Sequence, residues 1–221
     1  MLERKDHASQ RAEMIEKQLR RRGIDDRAVL AAMLAVPRHE FVAAELRSRA
    51  YEDCALPIAS GQTISQPYIV AAMTSALRLN PADRALEIGT GTGYQAAVLS
   101  LLGKEVFTIE RRPELASAAS AKLASLGYHN VHVHCGDGTL GLLECAPFDA
   151  ILVAAAAPAA PQPLLAQLAE GGRMIVPVGD EDGQELRLIE KRAGAFSTKI
   201  LEGCRFVPLV GHHGWQNFPQ R

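Results

Sequence analysis

The chain has 221 residues, of which 48% are hydrophobic, and this is long enough for one α/β domain with an N-terminal extension. Its formal net charge of -1 argues against bulk attraction to nucleic acid. Four cysteines without C-x-x-C spacing predict neither a zinc site nor a disulfide framework, and the longest apolar run, 150–160, is too short to cross a bilayer. Since the charged N-terminus is unlike a signal peptide, we expect a cytoplasmic protein.

The first third of the chain has the apolar spacing of helices. Helices are predicted over 8–22, 26–35, 40–48 and from Tyr68 to about residue 78. Pro37 ends the second of these, because proline cannot continue a helix. The basic residues from Lys17 to Arg22 are interpreted as the C-terminus of the first helix, with Gly23 as the left-handed residue that follows it.

From Ala82 onward, strand and helix patterns alternate. Strands are predicted near 84–88, 105–109, 131–134, 149–154 and 173–178, and helices near 93–102, 113–126 and 161–169. This order is typical of an α/β fold with a doubly wound, mostly parallel sheet and helices on both faces. Two further strands over 185–192 and 203–210 have no clear helix between them. They predict a terminal hairpin that includes one antiparallel strand and completes a seven-stranded sheet.

A glycine-rich turn follows the first strand of that sheet, with Gly89, Gly91 and Gly93 at alternate positions and a predicted helix from Tyr94. Glycine permits a tight turn and close approach to a ligand. The spacing is G-x-G-x-G, whereas a dinucleotide fingerprint has G-x-G-x-x-G and holds a pyrophosphate. The carboxylate of Glu87, two residues before the first glycine, repels a pyrophosphate and attracts a cation. We therefore expect a ligand with an ammonium or sulfonium group.

A second acid, Glu110, ends the next predicted strand roughly 20 residues after Gly89, where folds of this type hold a ribose diol. The turn and the two acids together resemble the S-adenosylmethionine site of Rossmann-like methyltransferases. The simpler alternative is a loop that only connects a strand to a helix.

The polar segment 61–68 precedes the helix that begins near Tyr68. Ser65 or Gln66 could cap this helix, with Pro67 at its first position. Alternatively, Gln62, Thr63 and Ser65 present amide and hydroxyl groups to a substrate. The two interpretations are compatible, because a helix N-terminus also attracts anions.

Several runs, in chain order, resemble the protein-L-isoaspartate O-methyltransferase family, over residues from about 11 to 211. These runs are Val36–Val42, Leu56–Ile58, Gly61–Tyr68, Glu87–Gln95, Gly136–Gly138, Pro147–Ile151, Glu170–Arg173, Val176–Gly179 and Arg205–Leu209. The glycine turn alone indicates only a methyltransferase, whereas the Gln-Thr-Ile-Ser-Gln-Pro run of residues 62–67 is specific to this family.

The resemblance implies methyl transfer from S-adenosylmethionine to the α-carboxylate of isoaspartyl residues in damaged proteins. The resulting ester collapses to a succinimide without the enzyme. The alternative is a methyltransferase for another carboxylate or a small molecule. A nicotinamide dehydrogenase is disfavoured by the missing fingerprint glycine and by Glu87, and a non-enzymatic cofactor-binding module is disfavoured by the intact segment 62–67.

The resemblance also implies the roles of individual residues. Ser65 is the expected catalytic residue, and Gln62, Thr63 and Ile64 are expected to bind substrate. The expected cofactor-binding residues are Glu87, Gly89, Thr90, Gly91, Gly93, Glu110, Arg111, Asp137 and Gly138. Among these, Glu110 would hold the ribose hydroxyls, and Asp137 and Gly138 would flank the adenine. No metal ion is expected.

The implied chemistry needs no general base, because a substrate carboxylate with an ordinary pKa near 4 is already ionised at neutral pH. Ser65 is therefore expected to orient the substrate as a hydrogen-bond donor. The expected partners are isoaspartyl proteins and peptides, without nucleic acid or membrane, and a monomer is expected. One domain spans 1–221, divided into N-terminal helices with the substrate loop (1–80), a cofactor-binding core (81–180) and a hairpin with a tail (181–221).

Three places depart from the family pattern. Ala154 stands where the family often has threonine, so the sequence does not predict which contacts form at the rim of the cofactor site. The segment 139–142 lacks the aromatic residues usual there, and the tail 212–215 is not assigned to the family. Two histidines on one face of a predicted strand, His132 and His134, are interpreted as packing residues because no third metal ligand is evident.

Overall fold

The computed structural model describes residues 6–216 and contains a seven-stranded sheet and a separate two-stranded one. The strands are β1 (Leu56–Pro57), β2 (Thr63–Ile64), β3 (Arg84–Ile88), β4 (Glu105–Glu110), β5 (Val131–Cys135), β6 (Phe148–Val153), β7 (Leu168–Gly179), β8 (Gln184–Arg192) and β9 (Ala195–Cys204). The spatial order in the large sheet is β5-β4-β3-β6-β7-β8-β9, and β1 pairs antiparallel with β2.

Strands β3 to β7 are parallel, β8 runs antiparallel to β7, and β9 runs antiparallel to β8. Only β8 therefore opposes the rest of the described sheet, as the sequence predicted. The strand order reverses beside β3, since β4 and β6 lie on either side of it. In open α/β sheets the crevice at such a reversal, outside the carboxyl ends of the strands, is where ligands bind.

The helices are α1 (His7–Met14), α2 (Arg27–Ala35), α3 (Pro67–Leu77), α4 (Tyr94–Ser100), α5 (Pro113–Ser125) and α6 (Gln162–Ala166). None of the helices in the described part of the chain is both long and apolar enough to cross a membrane. The side chain of Asp26 caps α2 by accepting hydrogen bonds from the backbone N–H groups of Ala28 and Val29.

Side chains alternate between the two faces of the sheet, and each face has its own core. Ala85 and Val106 pack with buried residues of α1 to α5. Leu86 and Phe107, the next residues along the same two strands, pack with Leu164 of α6 on the opposite face. Helices thus cover both faces, although most of them lie on one.

Several predicted helices differ in extent or type. The helix predicted over 8–22 is α1 followed by a π-helical turn, Ile15–Leu19, and a 3₁₀ turn, Arg20–Arg22. Gly23 ends it with a φ of 88°, which confirms the predicted left-handed residue. The helix predicted over 40–48 is instead two 3₁₀ segments, Arg38–Phe41 and Ala44–Arg49. The helix predicted over 161–169 stops at Ala166, because β7 begins at Leu168.

The prediction of the last strand was wrong. It was placed over 203–210, whereas β9 spans Ala195–Cys204. Ala193 and Gly194 have φ values of 51° and 74°, the left-handed pair of a two-residue hairpin turn, so β9 starts directly after β8. The first six residues of β9 are exposed, and an exposed edge strand lacks the apolar alternation that the prediction relied on.

Candidate active site

One cavity of about 590 Å³ lies at the carboxyl ends of β3, β4 and β6. One wall is formed by the glycine turn after β3 and by the residues that end β4. A second wall comprises the segment Ser60–Ser65 around β2, and a third side is formed by Val207–Val210, which follow β9. Chain segments far apart in sequence therefore enclose a single space.

The glycine turn has the backbone conformation that its sequence predicts. The φ angles of Gly89, Gly91 and Gly93 are 96°, 55° and 88°, all in the left-handed region that favours glycine. Gly89 and Gly91 line the cavity together with Thr90, whereas Gly93 does not. A Cβ atom on Gly93 would lie 3.0 Å from the Leu123 side chain, so this glycine permits close packing of α4 on α5.

Glu110 is held rigidly at the end of β4. Its Oε2 accepts a hydrogen bond from the Gly91 N–H at 2.9 Å, and its Oε1 accepts one from the Arg112 N–H at 3.0 Å. The residue is only 7% exposed and lines the cavity. Two backbone donors thus fix the carboxyl group before any ligand arrives, and each oxygen retains capacity to accept from a hydroxyl group.

Glu87 is fully buried, and one of its oxygens has no partner among the described residues. Its Oε2 accepts a hydrogen bond from the Thr108 hydroxyl at 2.6 Å, and that hydroxyl lies 2.7 Å from the Thr90 hydroxyl. Its Oε1 is buried without a hydrogen bond. Burial raises the pKa of Glu87 to about 8, against the hydrogen bond from Thr108 and with a further contribution from Glu110.

This finding corrects the electrostatic interpretation of Glu87. The sequence suggested a carboxylate that attracts a cation, yet a pKa of about 8 means that the isolated site holds a neutral carboxyl group at pH 7. A positively charged ligand beside it would favour release of the proton, because an opposite charge lowers the pKa of a carboxyl group. The unpaired Oε1 is then the atom that such a ligand would satisfy.

The segment opposite the glycine turn is a short hairpin. Ser60 and Gly61 turn the chain between β1 and β2 with φ angles of 60° and 67°. The Ser60 hydroxyl donates to Glu114 Oε1 at 2.9 Å, which links this hairpin to the first turn of α5. Gln62 Nε2 donates back to the Ser60 carbonyl at 3.3 Å. The hairpin is therefore tied to α5 where Ser60 lines the cavity.

Ser65 lines the cavity and its hydroxyl makes no hydrogen bond to another described residue. The N-cap of α3 is Gln66, which makes no side-chain capping bond, and Pro67 is the first helical residue. Of the two residues that could cap this helix, Gln66 occupies the N-cap position and Ser65 does not. The prediction of Pro67 as the first helical residue is confirmed. The Ser65 hydroxyl is left available to a ligand.

The residues expected to be catalytic or to bind substrate or cofactor all line the cavity, except Gly93 and Asp137. The carboxylate of Asp137 accepts hydrogen bonds from the backbone N–H groups of Thr139 and His212. Its neighbour Gly138 does line the cavity, and a Cβ atom there would lie 2.4 Å from Ile88 Cγ2. Only glycine fits at this position unless the Ile88 side chain moves.

The cavity is also lined by residues for which the sequence predicted no role. These are Ser60, Gly61, Val70, Met73, Ile88, Thr92, Tyr94, Gln95, Ile109, Arg112, Ala154, Ala155, Val207, Pro208, Leu209, Val210 and Gln216. The run Arg205–Leu209 was one of the family-like segments, and this was the available signal for the C-terminal wall. Ala154 contributes a methyl group close to Gly89, with 3.6 Å between its Cβ and a Cβ built on that glycine.

The histidines lie away from the cavity. His39 Nδ1 is 2.7 Å from the Tyr51 hydroxyl, and burial together with His7 lowers its pKa. His132 packs against the Phe107 ring at a centroid distance of 5.0 Å and lies 3.5 Å from Glu105. Within residues 6–216 there is no cluster of three or more His, Cys, Asp or Glu residues suited to a metal ion.

The doubly wound sheet, the glycine turn and the acids that end β3 and β4 define a Rossmann-like, S-adenosylmethionine-dependent methyltransferase. Residues 9–214 match the sequence model of the protein-L-isoaspartate(D-aspartate) O-methyltransferase family. The chain belongs to this family.

Individual relatives agree with this assignment. The chain is 56% identical over 208 residues to a protein-L-isoaspartate O-methyltransferase of Koribacter versatilis, covering 94% of each chain. It is 54% identical to that of Roseiflexus castenholzii, covering 98% of this chain and 100% of the relative. The predicted enzyme class, activity and cofactor are thereby confirmed.

Two solved structures share the fold. A protein-L-isoaspartate O-methyltransferase superimposes with a TM-score of 0.84 at 32% identity, covering 92% of this chain and 67% of the other. A Plasmodium falciparum structure described as this enzyme, in complex with S-adenosyl-L-homocysteine, has a TM-score of 0.78 at 27% identity. The superposition covers 93% of this chain and 99% of the other.

The residues around the cavity fit S-adenosylmethionine. The left-handed glycines leave the backbone of the turn open to the ligand, and Glu110 is fixed with acceptor capacity for hydroxyl groups. The buried, unpaired Oε1 of Glu87 lacks a partner that a charged or hydrogen-bonding ligand would provide.

Proposed function

We propose that the wall 60–65 of this cavity binds the isoaspartyl segment of a damaged protein and that Ser65 orients its α-carboxylate for methylation. The observation that carries this proposal is the Ser65 hydroxyl, which is uncommitted and lines the same cavity as Glu87 and Glu110. It lies next to the N-terminus of α3, where unpaired backbone N–H groups favour a negative charge.

The cofactor half of the site is formed by consecutive short segments. Glu110 would accept hydrogen bonds from the ribose hydroxyls, while Gly89, Thr90 and Gly91 would lie along the methionine portion with Glu87 beneath them. The lining residues Arg111 and Gly138 would border the adenosine. When bound, S-adenosylmethionine supplies a methyl group on a positively charged sulfur.

The protein's own contribution is alignment and exclusion of water. The substrate carboxylate is ionised at neutral pH, so no residue has to remove a proton from it. A hydrogen bond from Ser65 to one carboxylate oxygen would leave the other free to approach the methyl group. The buried floor of the cavity, where Ile88 and Ile109 line it, would keep water from the reacting atoms.

Paired peptides test isoaspartyl recognition by this site, and Ser65→Ala, which should lower kcat without weakening cofactor binding, tests the role of the serine. A peptide that contains L-isoaspartate should be methylated, whereas its twin with a normal aspartate at the same position should not. Equal methylation of the two peptides would contradict isoaspartyl recognition and favour a methyltransferase of broader carboxylate specificity. Methylation of neither, with S-adenosylhomocysteine still bound, would favour a different substrate class.

We also propose that the enzyme acts as a cytoplasmic monomer without nucleic acid. The net charge of -1 supports the absence of a nucleic-acid partner, and four free cysteines fit a reducing compartment. Light scattering coupled to size-exclusion chromatography should give the mass of one chain, and a dimer mass would overturn the monomer.

A further inference from the structure

Gln95 lines the cavity just after the glycine turn, and its side chain is tied to α3. It is the second residue of α4 and is partly buried. Its Nε2 donates a hydrogen bond to Thr74 Oγ1 at 2.9 Å. Thr74 is only 1% exposed and does not line the cavity. This hydrogen bond therefore joins a residue of the cavity to a buried hydroxyl group in the helix beside it.

The direction of the hydrogen bond is fixed by the backbone of α3. The Thr74 hydroxyl donates its single proton to the Val70 carbonyl at 2.7 Å, and a carbonyl can only accept. Thr74 Oγ1 must therefore accept from Gln95, and only the NH2 group of the amide can donate. The network thus assigns the two ends of the Gln95 amide. Its Oε1 makes no hydrogen bond to another described residue and is available to accept from a ligand.

Glu87 points to the same side of the sheet as α3 and α4. It lies two residues after Ala85 on β3 and so shares its face, which residues of both helices cover. Glu87 lines the cavity, and its Oε1 is buried without a partner among the described residues. The residues of α3 that line the cavity are the apolar Val70 and Met73. Two oxygen acceptors in such surroundings suit a ligand group that is positively charged and carries several N–H donors.

We propose that Gln95 is a cofactor-binding residue whose Oε1 accepts a hydrogen bond from the α-ammonium group of S-adenosylmethionine, and that Thr74 is the positioning residue that turns the amide this way. An ammonium group has three N–H donors, so Glu87 accepts from it as well. A peptide N–H of the substrate is neutral and would leave Glu87 without an opposite charge. The inference rests on the proposed cofactor half of the site.

Calorimetry with two ligands tests the contact. S-adenosylhomocysteine carries the ammonium group, and its desamino analogue has hydrogen in that place. Gln95→Leu should weaken S-adenosylhomocysteine about tenfold and the analogue less than about twofold, because a hydrogen bond to a charged group is lost only with the first. The ratio of the two affinities should therefore fall. An unchanged ratio would overturn the proposal.

The matched control is Gln162→Leu, the same replacement at an exposed position that does not line the cavity. Its affinity ratio should stay within about twofold of the parent, since no ligand contact is removed. A fall as large as that in Gln95→Leu would overturn the proposal, because the effect would not belong to the cavity.

Two variants of Thr74 test the positioning role. Thr74→Val keeps the branched shape but removes the acceptor, so the Gln95 amide is no longer held in one orientation. The affinity ratio should fall about fivefold, whereas Thr74→Ser, which keeps the hydroxyl, should stay within about twofold of the parent. A parent-like ratio in Thr74→Val, or an equal fall in both variants, would overturn the positioning role.

The peptide substrate separates the two possible partners of Gln95. With S-adenosylmethionine saturating, KM for an isoaspartyl peptide should stay within about twofold in Gln95→Leu. A large rise in this KM together with a parent-like affinity ratio would assign Gln95 to the substrate and overturn the proposal.

Failure of the proposed function would look different. A parent chain that binds S-adenosylhomocysteine but methylates no isoaspartyl peptide would contradict the proposed substrate, while the affinity ratio still judged Gln95. A parent chain that binds neither ligand would contradict the cofactor half of the site itself. Should Gln95→Leu not fold, as judged by circular dichroism, Thr74→Val and Thr74→Ser carry the measurement.

Discussion

The two walls of the cavity are built differently. On the cofactor wall, Glu110 is fixed by two backbone N–H groups at the end of a strand that is buried in the sheet. On the substrate wall, formed by residues 60–65, β1 and β2 have two residues each, and the Ser65 hydroxyl makes no hydrogen bond to another described residue. A cofactor of fixed structure can thus bind to preorganised groups, whereas a wall that binds many different protein segments keeps its hydrogen-bond donors free.

On the cofactor wall, formed by the glycine turn and the end of β4, the largest loss of cofactor binding is expected from Glu110→Gln. The glutamine side chain has one acceptor oxygen for the two backbone N–H donors, and its NH2 group would face the second donor. Both the hydrogen bonds that fix residue 110 and its capacity to accept from the ribose are therefore impaired. We expect roughly 10- to 100-fold weaker binding of S-adenosylhomocysteine, measured by calorimetry. The control is Glu144→Gln, an exposed acid that does not line the cavity, which should bind within about twofold of the parent. Equal losses in the two variants would contradict a specific role for Glu110.

The substrate wall should respond in turnover instead of cofactor affinity. Ser65→Ala removes the orienting hydroxyl, and kcat should fall about tenfold or more. Binding of S-adenosylhomocysteine should remain within about twofold, because no cofactor contact is lost. The measurement is steady-state methylation of an isoaspartyl peptide together with calorimetry. A parent-like kcat would remove Ser65 from the mechanism.

The buried Glu87 sharpens the comparison through pH. Its pKa is raised from 4.5 to about 8, so between these values the folded state holds a proton that the unfolded state has released. The free energy of unfolding of the ligand-free protein therefore falls as the pH rises from about 5 to about 8. Glu87→Gln, which cannot ionise, should lack this component. Thermal unfolding of both proteins across that range tests it, and parallel profiles would contradict a raised pKa.

The smallest effect is expected from Ser60→Ala on the substrate wall. The hydrogen bond to Glu114 is exposed, so water can replace it at little cost. KM for the peptide should rise less than about fivefold, with kcat unchanged, since the hairpin loses a tie but no contact with the reacting carboxylate. A loss in kcat as large as that of Ser65→Ala would contradict the distinct roles of the two serines, in which Ser60 ties the hairpin and Ser65 orients the carboxylate.

Much of the fold could be predicted because parallel strands are buried on both faces and their apolar runs are continuous. Strands β3, β4 and β6 were found within a residue or two for this reason. The edge strand β9 was misplaced because its first residues are exposed and carry no such pattern. The candidate site was predicted best where it comes from one short run, as in Gly89–Gly91, and worst where it depends on the distant segment Val207–Val210.

The sequence by itself determined the glycine turn, the two acids at strand ends and the segment 62–67, since each is a local pattern with a local physical requirement. Only the tertiary structure decided the burial of Glu87 and the hydrogen-bond partners of Asp137. Burial sets the pKa of Glu87, and the partners of Asp137 include a backbone amide 75 residues away. Burial and long-range hydrogen bonds arise when distant segments pack together, so no local pattern in the chain specifies them.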